Sequence, residues 1–281
     1  MFATNQSERR RNSALVIRRR VILENWVEPK LRRAMRKAGR DSALEYSRGG
    51  QGRVDVIAIQ DYKHEIRDIL TDLYARTTET MAGLVRDSAK SIGIQVETKE
   101  DDEVLERLLD LFRAFALDQA TTIAETMKEE VALAIKPLVA EGAGEAEIGR
   151  AIRKRVDGLA PWQAKRIART ETLMASSQAQ AEVIRDMPDM PPMAKEWDSS
   201  RDSRTRKAHR GVEPVLERER FSVGGDLMRW PGDSAGGPEN VINCRCTVNY
   251  APVEDLPELR AEVQERLADI EEDEAFNASE N

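Results

Sequence analysis

Met187-Pro188-Asp189-Met190-Pro191-Pro192 cannot continue a helix, because its three prolines remove backbone donors and fix φ. The hexapeptide divides the chain into two kinds of sequence. Downstream, Ala194 to Asp198, Arg220 to Val223 and Cys244 to Tyr250 read as short strands, the last alternating Cys246, Val248 and Tyr250. Thr205 to Gly211 reads as a helical turn. Gly224-Gly225, Pro231-Gly232-Asp233 and Gly236-Gly237-Pro238 read as turns.

Upstream the apolar spacing is three and four. Tyr62, Ile66, Ile69, Leu70, Leu73, Thr77, Met81, Leu84 and Val85 mark one long helix. Leu105, Leu108, Leu109, Phe112, Phe115, Ile123, Met127, Val131 and Ile135 mark a second, closed by Pro137, Gly142 and Gly144. Together they read as a helical hairpin. Between them Gly93 ends the first helix, and Ile94-Gln95-Val96-Glu97 leads into an acidic first turn at Glu100 to Glu103. Glu145 to Val156 reads as a short helix stopped by Gly158, with Pro161 opening another toward Met187. His64 lies between core positions and faces solvent on this reading.

The expected fold class is therefore α+β, a mainly α-helical elongated N-terminal region with a small C-terminal α+β module. The expected divisions are 1–52, a basic arm ending in the Gly49 to Gly52 linker; 53–144, the hairpin; 145–250, the module; and 251–281, an acidic tail with helical spacing at Leu259, Val263, Leu267 and Ile270.

Aromatic residues make up only 5% of the chain and charged ones 34%, which favours long polar-faced helices over a large apolar globule. No run of about 18 apolar residues occurs, so no membrane span is expected, and Met1 to Arg20 lacks the apolar core of a signal peptide. The net charge of −7 conceals opposite ends: residues 1–40 hold twelve Arg and Lys against three acids, and residues 254–281 hold eleven acids against two arginines. Arg9, Arg10, Arg11, Arg18, Arg19 and Arg20 are candidate phosphate contacts, because clustered guanidiniums displace counterions from nucleic acid; docking on an acidic protein surface is the alternative.

Both cysteines of the chain fall in Asn243-Cys244-Arg245-Cys246, too close in sequence to staple distant segments by a disulfide. With His209 they form a soft ligand set suited to zinc, and Asp202 or Asp233 offers an oxygen as a fourth ligand. The competing reading has the cysteines as small buried hydrophobes and His209 bonded to Asp202 or Asp198. Arg201, Arg204, Arg206 and Arg245 either neutralise phosphate or cross-link the module by pairing with Asp198, Asp202, Asp233 and Glu171.

Ala168-Arg169-Thr170-Glu171 on a helix, followed by Lys195-x-Trp197, Asp202-x-Arg204-Thr205-Arg206-x-x-His209, Phe221, Pro231-Gly232-Asp233 and Asn243-Cys244-Arg245-Cys246, resembles the phage minor head protein family of the Mu protein F and SPP1 head morphogenesis type. The resemblance covers roughly Ile148 to Tyr250. Gly211-Val212-Glu213-Pro214 matches the glycine-containing turn after the family histidine only approximately. The resemblance implies a virion protein of a tailed phage or prophage, in the head interior or at the portal vertex, and in the host cytoplasm during assembly. It further implies action in head morphogenesis and DNA packaging or delivery, with the portal and major capsid proteins as partners and double-stranded DNA a further one through the basic arm. On this reading the protein is not an enzyme. The rival is a zinc-dependent nuclease or hydrolase in the C-terminal module, with His209, Cys244 and Cys246 on the metal and Asp202 or Glu171 as general base.

Overall fold

The computed structural model describes residues 2, 6–94, 98–187 and 190–255; residues 95–97 and the acidic tail beyond Asp255 lie outside the described residues. The architecture is α+β. Four long helices, α1 (Gln6–Arg53), α2 (Ile59–Ser91), α3 (Thr98–Ala140) and α4 (Glu145–Arg185), precede β1 (Met193–Asp198), β2 (Val215–Leu216), β3 (Phe221–Val223), β4 (Asp226–Met228), the one-turn α5 (Pro238–Val241) and β5 (Thr247–Pro252). Among the described residues no helix is long and apolar enough to cross a membrane.

Two sequence signals were overridden. α4 runs unbroken through Gly158 and Pro161, where a stop and a new start were expected. Ile152, Val156, Ala160, Ala164 and Ala168 are all essentially inaccessible and recur every fourth residue, so packing along one face outweighs the lost hydrogen bond at Pro161. The last strand begins at Thr247, leaving Cys244 and Cys246 in the turn before it. The glycine cluster does interrupt α1, with non-helical angles at Gly49 and Gly50, and a single π-helical turn, Val54–Ala58, joins it to α2.

The chain divides into two compact units, and the division is not collinear with the sequence. One unit comprises residues 19–80 and 99–176 and is wholly helical. Its core is the stripe Leu31, Met35 and Ala38 of α1, Tyr62, Ile66, Leu70 and Tyr74 of α2, Phe112, Ala116 and Ala120 of α3, and the α4 residues above. Buried within it, Tyr74 Oη donates to Glu171 Oε2 at 2.6 Å, and the Tyr74 ring lies against Phe112 and Phe115. Arg169 pairs with Glu24 at 3.5 Å. His64 is exposed on α2, as its place between the core positions of that helix predicts.

The other unit gathers the described residues of 1–18, 81–98 and 177–255. It contains an antiparallel sheet of order β2-β1-β5 and the hairpin β3-β4. Register pairs Lys195 with Tyr250 and Trp197 with Val248, so these four share one face of the sheet. The N-terminal residues belong to this unit. Phe2 bridges to Tyr250 and is buried, Ser13 Oγ accepts from Asn249 Nδ2 at 2.9 Å, and Arg9 pairs with Glu196 at 2.8 Å. Val16 packs with Met81 and Ala179. Burial of an aromatic such as Phe2 contributes about 1.5–3 kcal/mol, enough to anchor the segment.

Candidate metal centre

The His209 loop and the Cys-x-Cys turn are drawn together by one clasp. Asp202 opens a turn in which its Oδ1 accepts from the Arg204 amide at 2.9 Å while its own amide donates to Thr205 Oγ1 at 3.1 Å. The same carboxylate receives both terminal nitrogens of Arg245, Nη2 at 2.7 Å and Nη1 in a shorter bond. Arg245 stands between the two cysteines, so this two-pronged pair sets the loop that ends in the 3-10 turn Lys207–His209 over Cys244 and Cys246. The chain leaves α5 through Asn243, held at φ 60, a left-handed conformation that asparagine tolerates better than most residues.

The result is a compact trio. His209 Nδ1 lies 3.6 Å from Cys244 Sγ and 3.5 Å from Cys246 Sγ, all three ligand atoms fall within 4.8 Å of one another, and all three residues are buried. A tetrahedral ion with Zn–S near 2.3 Å and Zn–N near 2.0 Å requires N···S edges of about 3.6 Å. The chain's own geometry fits zinc.

Asn240 orients the imidazole. Asn240 Nδ2 donates to the Val223 carbonyl at 3.1 Å and to Asp226 Oδ2 at 2.8 Å, both obligate acceptors, so Asn240 Oδ1 must be the atom 3.2 Å from His209 Nε2. His209 Nε2 therefore carries the proton, and the Nδ1 lone pair points at the sulfurs. Trp197 stands edge-on to the His209 ring at 5.2 Å and to Phe221 at 5.5 Å, closing the apolar side. Gly224 and Gly225, with φ 60 and 94, form the two-residue turn of the β3-β4 hairpin, and a Cβ at Gly224 would sit 3.1 Å from Asn240 Nδ2.

Electrostatics favour the ligating state. A hydrogen bond from Cys244 lowers the Cys246 thiol most, the Ser200 backbone adds to the lowering, and burial opposes it. The thiolate is the form that binds metal. Nearby, Lys195 is buried over the Phe221 ring at 5.3 Å, and burial pushes its ammonium down to about 8.

Four aspartates of the module are committed elsewhere. Asp202 holds Arg245; Asp198 pairs with Arg201 at 3.1 Å; Asp226 accepts from Asn240 and the Gly237 amide; and Asp233 accepts from Arg229 through the backbone amide, Nε and Nη2. Asp233 sits in a turn with Pro231 at its second position and Gly232, φ 86, at its third, closed by a bond from the Asp233 amide to the Trp230 carbonyl at 3.1 Å. Among the described residues only His209, Cys244 and Cys246 form a ligand cluster, with Asp202 bound to its arginine instead. Arg206 donates to the Ile242 carbonyl at 2.6 Å, and Arg204 reaches Asp202 at 3.8 Å. Of the six arm arginines, Arg10, Arg11, Arg18 and Arg19 are exposed, whereas Arg9 pairs with Glu196 and Arg20 is buried. Asn240 and Asp226 carried no sequence signal, since an asparagine after Gly-Gly-Pro-Glu reads as an ordinary turn residue.

The expectation that the protein is not an enzyme is overturned here. A buried His, Cys, Cys cluster with metal-binding spacing and an oriented imidazole is a plausible catalytic metal site, not an inert packing arrangement. The class defined by fold and site is a small α+β module with a buried set of three residues, His209, Cys244 and Cys246, that could hold a metal ion. Residues 129–249, a span that holds the whole trio but fewer than half of the chain's 281 residues, match the family model described as Phage Mu protein F like protein. No curated protein matches the chain, and no solved structure does.

Proposed function

We propose that the C-terminal module is a zinc-dependent hydrolase of phosphodiesters, carried by a phage head-morphogenesis protein. The observation that carries the first part is the pair of N···S separations, 3.5 and 3.6 Å, in a set of three ligands. Structural zinc sites close with four protein ligands, and catalytic sites keep three. With Asp198, Asp202, Asp226 and Asp233 each held by other groups, the fourth place is left for a small molecule. When bound, zinc supplies Lewis acidity toward a phosphoryl oxygen. The chain's part is to hold two sulfurs and Nδ1 at tetrahedral spacing, to fix the tautomer through Asn240, and to keep water off the Trp197 and Phe221 side. An anionic substrate is supported by the loop from Arg201 to Arg210, which carries four arginines and Lys207 against the single acid Asp202, with Arg201, Arg204, Lys207 and Arg210 exposed.

The test is elemental analysis of untagged protein, together with cleavage of bis(p-nitrophenyl) phosphate and of DNA with and without a chelator. About one equivalent of zinc and chelator-sensitive cleavage are expected; less than about a tenth of an equivalent overturns the metal site. Full zinc without cleavage overturns the hydrolase and leaves a structural ion. The phage part rests on the family match, and it makes the portal and major capsid proteins the partners to test. Co-sedimentation with portal-containing heads is expected, and absence from heads overturns it.

A further inference from the structure

A notch of about 240 Å³ on α1 is lined by Pro29, Arg32, Arg33, Arg36 and Arg40. Residues 29–40 contain no acid and no aromatic. Arg32 to Arg36 and Arg36 to Arg40 are like-charged pairs four residues apart, and Arg33 to Arg36 is one three apart, spacings at which equal charges destabilise a helix. The compensation is thin: Glu28 lies 3.7 Å from Arg32 and Asp157 lies 3.7 Å from Arg36, while Arg33 and Arg40 have no ion pair among the described residues.

The charge continues onto α4. Gly149 of α4 packs on Ala43 of α1, where a Cβ would lie 3.6 Å from Ala43 Cβ and 3.8 Å from Arg153 Nη1, so the Arg153 guanidinium lies beside the α1–α4 contact. Arg153 is exposed and also has no ion pair among the described residues. Arg33, Arg36 and Arg40 span about 10 Å of α1 at the helical rise, and Arg153 adds a fourth guanidinium near the contact of α4 with α1.

We infer that this strip binds the phosphate backbone of double-stranded nucleic acid without reading its sequence. A protein partner would need the aromatic and apolar anchors that concentrate interface energy, and single strands would need rings on which bases stack; the notch has neither. Repeated guanidiniums match repeated phosphates, and each one engaged releases counterions. The proposal is independent of the metal centre.

The experiment is fluorescence anisotropy of the full chain with random-sequence duplexes over a series of salt concentrations. Arg33→Gln/Arg36→Gln/Arg40→Gln is compared with Arg107→Gln/Arg113→Gln/Lys136→Gln, an equal charge change at exposed positions of α3. The first variant is expected to lower the slope of log affinity against log salt by about 2–3 and to weaken binding at least tenfold at low salt. The second should stay within about twofold of the unaltered chain, and circular dichroism should show all three equally helical. Equal weakening by both variants, an unchanged slope in the first, or no duplex binding by the unaltered chain overturns the proposal.

Discussion

His209 Nε2 and Asn240 Oδ1 lie 3.2 Å apart in the interior of the module, and the amide of Asn240 has no freedom to turn, because its nitrogen is already given to Val223 and Asp226. One asparagine therefore decides which imidazole nitrogen is available to a metal. Asn240→Ala should weaken zinc binding about 10- to 100-fold, read by competition with a chromophoric chelator. In metal-free protein the nitrogen shifts of His209 should report a proton on Nε2; a proton on Nδ1 would sink the assignment whatever the zinc content.

Gly224→Ala and Gly225→Ala should separate strain from displacement. Both residues have positive φ, so each substitution should cost about 1–2 kcal/mol in denaturant unfolding. Only at Gly224 does the new methyl meet Asn240; at Gly225 nothing lies within 4 Å. Zinc affinity should fall in Gly224→Ala and hold in Gly225→Ala.

The Asp202 carboxyl is lowered to about 2, chiefly by its hydrogen bonds from Arg245. A depressed folded value means the stabilisation is complete above the ordinary 3.8 and is lost as pH falls through about 2. Asp202→Asn should lower the melting midpoint at pH 7 and flatten its dependence between pH 4 and pH 2. An unchanged acid limb in the variant would show that the clasp does not hold the loop.

Glu171 behaves in the opposite sense. Burial raises its carboxyl from 4.5 to about 7, against the lowering effect of the Tyr74 hydroxyl. The folded state thus keeps a proton that the unfolded state has released, and stability falls as pH rises from about 4.5 to 7. A shift of that size corresponds to roughly 3 kcal/mol as an upper bound. Glu171→Gln should remove this slope, so that the variant gains on the unaltered chain between pH 5 and pH 8, measured by urea unfolding at both.

What the sequence determined by itself was local: the three-and-four spacing of apolar residues along α2 and α3, the change of pattern at the Met187 to Pro192 hexapeptide, the turns at Gly224-Gly225 and Pro231-Gly232, and the identity of His209, Cys244 and Cys246 as possible ligands. Those properties reside in periodicity, in backbone chemistry and in the side chains themselves, so a linear reading reaches them. Tertiary structure alone decided the rest. Pro161 sits inside a helix because the alanine stripe around it packs, and Phe2, Arg9 and Ser13 join the C-terminal strands because Tyr250, Glu196 and Asn249 receive them. The Asp202–Arg245 clasp and the Asn240 bond join residues 43 and 31 positions apart. No spacing rule relates such pairs; only the folded backbone brings a carboxylate to a guanidinium between two cysteines and turns a coincidence of residue types into one site.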